Sequence, residues 1–155
     1  MPLSREIIIE KLQTFFQEQE EIIAVYLFGS WAKDQASHPK DVDVAILLPE
    51  PVTTAPQEHL DQWIHYRDKL QSNFSEEVDL VILNTANPIL KQQIFFHGIQ
   101  IGLRNKEEYL KFRVKSYQQQ FDMIHIQQQM RQIQKTAAAS TSLDPEKKPE
   151  ERKQT

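Results

Sequence analysis

Apolar residues recur at three- and four-residue steps in some stretches of this chain and run almost unbroken in others, which sorts it into helices and strands. Ile7, Ile8, Leu12, Phe15 and Phe16 form one stripe of a helix over Arg5 to Glu18, with Ser4 as its N-cap. Ile22 to Phe28 is a β-rich run of strand length, expected in the middle of a sheet. Trp31 to Gln35 predicts a short helix and Ala36 to Lys40, with Ser37 and Pro39, a loop. Asp41 to Leu48 predicts the second strand, stopped by Pro49 and Pro51. A helix follows over Gln57 to Asn73, with Leu60, Trp63, Ile64 and Leu70 expected on its inner side, and then a third strand over Val78 to Leu83. Asn87-Pro88 opens a helix running to about His97, proline being favourable in a first turn.

The last helix is expected from Lys106 to about Gln134. Leu110, Val114, Tyr117, Phe121 and Ile124 step by four, three, four and three, the spacing of a helix that packs on a helix. The plain expectation is that this stripe covers the domain's own sheet or helices; the sharper one is that part of it docks a helical partner. Past Gln127 the stripe thins. From Lys135 the composition turns to Ala, Ser, Thr, Pro, Lys and Glu with little to bury, so the expected organisation is one domain over 1–134 and a disordered tail over 135–155.

Composition narrows the function. With 155 residues the chain can bury a core, and with no cysteine it has no disulfide, thiolate nucleophile or cysteine-bound zinc. It has no apolar run of membrane-spanning length and no signal-peptide pattern at its start, so no membrane partner and a cytoplasmic location are expected. Eighteen basic residues against 22 acidic ones argue against free-standing affinity for nucleic acid and suit a basic protein partner. His38, His59, His65, His97 and His125 are scattered and read as non-ligands; His97 sits at a helix end, where a cation suits the dipole.

The chemistry concentrates elsewhere. Asp41 and Asp43, two apart on a strand, point to one face, and side by side they repel unless a cation sits between them. Asp79 on a neighbouring strand would add a third carboxylate, making a donor set for a hard divalent cation such as Mg²⁺. Upstream, Gly29 permits close backbone approach, Ser30 offers a hydroxyl, and the helix after them presents backbone N–H groups, features suited to a metal-bound triphosphate.

A strand ending in Gly29-Ser30, a short helix, then Asp41-x-Asp43 opening a second strand resembles the nucleotidyltransferase superfamily of polymerase-beta-like fold, and Asp79 matches its third carboxylate. The twelve-residue step from Gly29 to Asp41 is that family's usual spacing. The small size resembles the minimal nucleotidyltransferase (MNT) group, many of them antitoxins paired with a HEPN-domain toxin. Two positions depart from the pattern: Asp34 where Gly is frequent, and Lys40 where Ser is frequent. Lys40 sets a cation beside the carboxylates, either touching phosphate or facing solvent, the commoner state of lysine.

The resemblance implies an α/β (α+β) chain of polymerase-beta-like nucleotidyltransferase fold, a small mixed β-sheet flanked by helices with a long C-terminal helix. It implies transfer of AMP from ATP with two Mg²⁺ ions, Asp41, Asp43 and Asp79 as catalytic and metal residues, and Gly29, Ser30 and Lys40 toward the nucleotide. About 50 residues after Leu83 leave little room for a separate substrate domain, so the acceptor is expected on a protein. The resemblance supplies one: a tyrosine of a HEPN ribonuclease toxin, in a type VII-like toxin–antitoxin pair. Two alternatives stand beside this reading, an antitoxin that only binds and occludes its toxin, and a nucleotidyltransferase acting on a small molecule.

Overall fold

The computed structural model describes residues 3–33 and 41–154, with side chains described as far as Ser140. The chain divides into two units, Met1–Tyr117 and Gln118–Thr155. The first holds α1 (Arg5–Glu18), β1 (Ala24–Phe28), α2 (Ser30–Lys33), β2 (Val42–Leu47), α3 (Pro56–Gln71), β3 (Val78–Ile82), a 3₁₀ turn (Leu83–Thr85), α4 (Pro88–His97), β4 (Ile99–Leu103) and the root of α5 (Lys106–Gln154). Asp34 to Lys40, including His38, lie outside the described residues.

The four strands form one mixed sheet in the order β3-β2-β1-β4. β1 is antiparallel to both β2 and β4, while β2 and β3, joined through α3, are parallel. β1 is one of the two inner strands, as its unbroken apolar run predicts. Alternation splits each strand between two cores. Val25, Leu27, Val44, Ile46, Val78 and Leu80 face α1 and α3, against Ile8, Leu12, Phe15, Tyr66 and Leu70. Ala24, Tyr26, Ala45 and Leu47 face α4 and the root of α5, against Ile94, Phe95, Tyr109 and Phe112. The period of two therefore puts Asp43 and Asp79 on the α4 side of the sheet.

α1 starts where its cap predicts, Ser4 Oγ accepting from Ile7 N–H at 3.3 Å. Its far end is clasped by Arg104, which donates to the carbonyls of Phe16 (3.1 Å), Gln19 (3.0 Å) and Ile22 (2.6 Å) and stacks 4.1 Å from the centre of the Phe16 ring. Gln71 accepts from Val78 N–H (3.0 Å) and donates to Glu76 O (2.7 Å), fixing the entry to β3. At the other end of the sheet the Asn84 amide bonds Leu48 in both directions, at 2.8 and 2.9 Å.

Two expected stripes are met only in part or not at all, Leu70 and Trp63 of α3 lying inward as expected. In α3 the buried positions are Tyr66 and Leu70, while Leu60 and Ile64 are exposed. The Tyr66 hydroxyl bonding Glu21 (2.8 Å) and Trp63 Nε1 bonding Leu80 O (2.9 Å) set that rotation. In α5 the plain expectation is not met within the first unit, where Leu110, Val114 and Tyr117 are 49–58% exposed. The root of α5 packs through Tyr109, Phe112 and Ser116 instead. Tyr109 and Tyr26 share a hydroxyl–hydroxyl bond, Arg113 donates to Tyr109 Oη (3.0 Å), and Arg113 lies over the Phe95 ring. The helix also passes the stop expected near Gln134; Ala137, Ala138 and Ala139, strong helix formers, follow that point. No helix among the described residues is long and apolar enough to cross a membrane.

Candidate active site

β1 leaves the sheet at Phe28, which pairs with Asp43 of β2. The next residue, Gly29, turns the chain with φ +73°, a conformation that L side chains seldom adopt. A Cβ there would overlap Asp43 Oδ2 and stand 2.9 Å from Asp43 Cγ, so glycine is required by backbone and neighbour alike. Ser30 then opens α2, whose last N–H groups, Ala32 and Lys33, return to Gly29 O at 3.2 Å. Arg5 donates to Trp31 O (2.9 Å) and Ala32 O (3.2 Å), pinning this one-turn helix to the start of α1.

The parallel register of β2 and β3 sets Asp43 opposite Asp79. Asp41, just before β2, and Asp79 are exposed, whereas Asp43 is half-buried. Burial, then the charges of Asp79 and Asp41, then a hydrogen bond with Asp79 push the Asp43 carboxyl up to about 6. The sheet thus brings together the three predicted carboxylates and Gly29 with Ser30, all at one end. Lys40, the remaining candidate, lies outside the described residues.

Among the described residues no three His, Asp or Glu side chains already stand as a metal cage. The donor set nevertheless fits a divalent ion. Asp43 and Asp79 stand opposite each other on β2 and β3, with Asp41 close enough to raise the Asp43 carboxyl, and a divalent cation would relieve that crowding of negative charge.

Beside Gly29, on the same face, a cleft of about 370 Å³ opens between the end of β1 and α4. Phe28, Leu90 and Ile94 form its apolar wall; Lys33, Gln93 and His97 supply its polar groups. Sequence reasoning singled out neither Lys33 nor Gln93, and read His97 as a non-ligand at a helix end. Lys33 sits one turn after Ser30, which is a faint signal, but nothing local places α4 against it: the antiparallel pairing of β4 with β1 does that.

Comparison with known proteins agrees with this geometry. The family model described as "Polymerase beta, Nucleotidyltransferase" matches residues 10–107, more than half of the chain. The protein adenylyltransferase MntA of Shewanella oneidensis is 30% identical over 92 residues, covering 59% of this chain and 61% of that one. This chain therefore matches less than two thirds of that relative. Among solved structures, a toxin–antitoxin crystallised with AMP-PNP superposes with a TM-score of 0.62 at 24% identity, over 79% of this chain and 94% of that one. Another, a tri-AMPylated Shewanella oneidensis HEPN toxin in complex with MNT antitoxin, gives 0.59 at 24% identity, over 81% and 94%. At that identity the likeness is one of fold. With the family model spanning the whole sheet and its carboxylates, the chain belongs to the polymerase beta nucleotidyltransferase family.

Proposed function

We propose that this protein is an antitoxin and protein adenylyltransferase, transferring AMP from ATP to a tyrosine of a HEPN-domain ribonuclease toxin in the cytoplasm. The observation that carries the reading is the crowding at Asp43, a half-buried carboxylate with two others beside it, next to a glycine turn open to a phosphate. The matched relative is named a protein adenylyltransferase, and one solved neighbour contains an AMPylated HEPN toxin held by an MNT antitoxin; both support the same assignment here.

Each residue has a distinct task. Asp79 accepts the proton of the attacking tyrosine hydroxyl, a role open to it because it is the exposed member of the Asp43–Asp79 pair. Asp41 and Asp43 hold the nucleotide's metal, and Asp79 completes the second site. Two Mg²⁺ ions, when bound, neutralise charge on the attacking and leaving oxygens. Gly29 lets the main chain approach the triphosphate and Ser30 donates its hydroxyl to it. Lys40 stays a candidate on sequence grounds alone, either touching phosphate or facing solvent. An adenylyl group adds bulk and negative charge next to an RNA-cutting site, which repels the RNA backbone.

The exposed α5 residues support a protein acceptor. Leu110, Val114 and Tyr117 are each about half exposed or more, an apolar stripe at helix-docking spacing on the ordered domain. The same stripe favours the second reading, an antitoxin that neutralises by binding alone. Intact-mass spectrometry separates the two. With ATP, Mg²⁺ and the toxin, the toxin gains one or more AMP units, and the Asp41→Ala/Asp43→Ala protein adds none while still binding. A stable complex with no mass gain from the unsubstituted protein refutes the enzymatic reading and leaves the binding one.

A further inference from the structure

We propose that the pocket between the start of β1, the end of β2 and the root of α5 seats an apolar side chain from an acidic amphipathic helix of the protein acceptor. The inference rests on the proposed toxin as partner. It adds a docking point at the end of the sheet opposite Asp43, where Ala24 pairs with Leu47.

The pocket measures about 180 Å³, and Ile23, Leu47, Leu48 and Phe112 form its apolar floor. That is room for one side chain of leucine or phenylalanine size, and well under the roughly 300–1,000 Å³ that small-molecule ligands fill. An apolar pocket of one-residue size suits an anchor side chain in a protein interface. The surface beside it is built for a helix. Leu110, Val114 and Tyr117, on the same root of α5, are exposed and step by four and three. At 100° per residue, Lys111 and Lys115 lie between that stripe and the pocket, whose rim they form. A helix laid along the root of α5 therefore meets stripe, lysines and pocket together.

Charge selects which helix. Glu50 and Glu108 also line the pocket, but their carboxylates are engaged. Glu50 accepts from Asn84 (3.2 Å) and from Val52 N–H (3.3 Å), and Glu108 accepts from Glu50 N–H (3.2 Å) and from Asn105 (3.0 Å). The lysines are freer. Lys111 pairs with Glu107 at 3.5 Å, both side chains largely exposed, a contact that contributes little. The Lys115 ammonium has no hydrogen bond or ion pair among the described residues. Nearby, the buried Lys91 holds its ammonium 5.4 Å from the centre of the Phe112 ring. Burial first, and then the charge of Lys115, pull Lys91 below the ordinary lysine range, with Glu50 opposing them. Carboxylates brought to Lys111 and Lys115, one turn apart, offset that repulsion. The chain as a whole carries a charge of −4 and suits a basic partner, whereas this face suits an acidic one.

Because the chain has no cysteine, a photo-crosslinker attached at Lys115→Cys reports a single contact. In the complex of the full chain with the toxin, crosslinks should map to a helix whose apolar residue is flanked by Asp or Glu. Lys115→Glu should weaken toxin binding about tenfold at low salt, with a gap that narrows as salt rises. Its Tm should hold or rise, since the repulsion of Lys91 is gone, which separates lost docking from a damaged fold. Lys69→Glu, the same charge change on α3 across the sheet, should leave the affinity within about twofold. Unchanged affinity in Lys115→Glu, crosslinks to a basic segment or to a second copy of this chain, or no toxin binding by the unsubstituted protein each overturns the docking site. Binding that depends on Lys115, to a toxin that gains no AMP, keeps the docking site and removes the enzymatic reading.

Discussion

Replacing Gly29 with alanine tests the site at its tightest point. Two costs follow from the geometry. A residue with a Cβ held at φ +73° costs about 1 kcal/mol relative to glycine. The Asp43 carboxyl, its Cγ only 2.9 Å from the new Cβ, must also retreat by about 1 Å to ordinary contact distance. The move disturbs a half-buried group and adds about another 1 kcal/mol. Together they lower Tm by roughly 4–8 °C for a chain of this size. A domain with the usual 5–15 kcal/mol of stability stays folded at 25 °C through such a loss. Activity suffers far more, because a 1 Å displacement of a reacting group costs on the order of 100-fold in rate. The assay pairs a thermal melt, with and without Mg²⁺, with the initial rate of AMP transfer at 25 °C. The expected result is a folded protein whose Mg²⁺-induced rise in Tm is largely lost and whose rate is down by about two orders of magnitude. A Gly29→Ala protein that transfers AMP at more than a third of the normal rate would refute the claim that this glycine makes room for Asp43.

Further outcomes concern the carboxylates, the α1 clasp and the tail. Asp43 carries a carboxyl pushed up to about 6 from an ordinary 3.8, so the folded protein holds a proton there that the unfolded chain has lost. Stability of the metal-free protein should accordingly fall as pH rises from about 4 to above 6, by about 1 kcal/mol once solvent screening of this half-exposed group is allowed for. Asp43→Asn should abolish that difference and melt at or above the unsubstituted protein at pH 8 while losing AMP transfer; a lower Tm than the parent at pH 8 contradicts the repulsion argument. Arg104→Ala removes three bonds to the end of α1 and a ring stack, costing about 3 kcal/mol in urea unfolding, and Arg104→Lys should recover less than half of it. Deleting residues 135–155 should leave both Tm and AMP transfer unchanged, and a Tm drop of more than a few degrees would show that the segment packs on the domain.

The site was legible because it is local and repetitive. Asp41 and Asp43 share a face by the period of two, and Gly29 marks a turn that only a residue without Cβ makes easily. Asp79 follows once β3 is parallel to β2, as a helix of α3's length between two strands implies. The rotation of α5 was not legible in the same way. Its root carries two apolar stripes about 100° apart, one through Tyr109, Phe112 and Ser116, the other through Leu110, Val114 and Tyr117. The second is longer and more apolar, yet the first is buried, because Tyr109 meets Tyr26 and Phe112 meets Phe95. Those partners sit 83 and 17 positions away in the chain, beyond the reach of any periodicity. That Lys33 and His97 line one cleft was hidden for the same reason: only the return of β4 to β1 brings α4 to the end of β1.

All the proposed chemistry lies at a single end of the sheet, where β1 finishes and β2, β3 and β4 begin. The opposite end holds the connection before β1, the proline-rich stretch from Pro49 to Ala55 after β2, and the turn where Asn84 clasps Leu48. That separation gives the fold room to diverge. Length and sequence at the far end are free to drift under selection for a new acceptor, since no reacting group is anchored there. The same freedom is useful at the bench: a tag or a sensor peptide spliced between Thr53 and Thr54 enters a loop at the end of the sheet away from Asp41, Asp43 and Asp79.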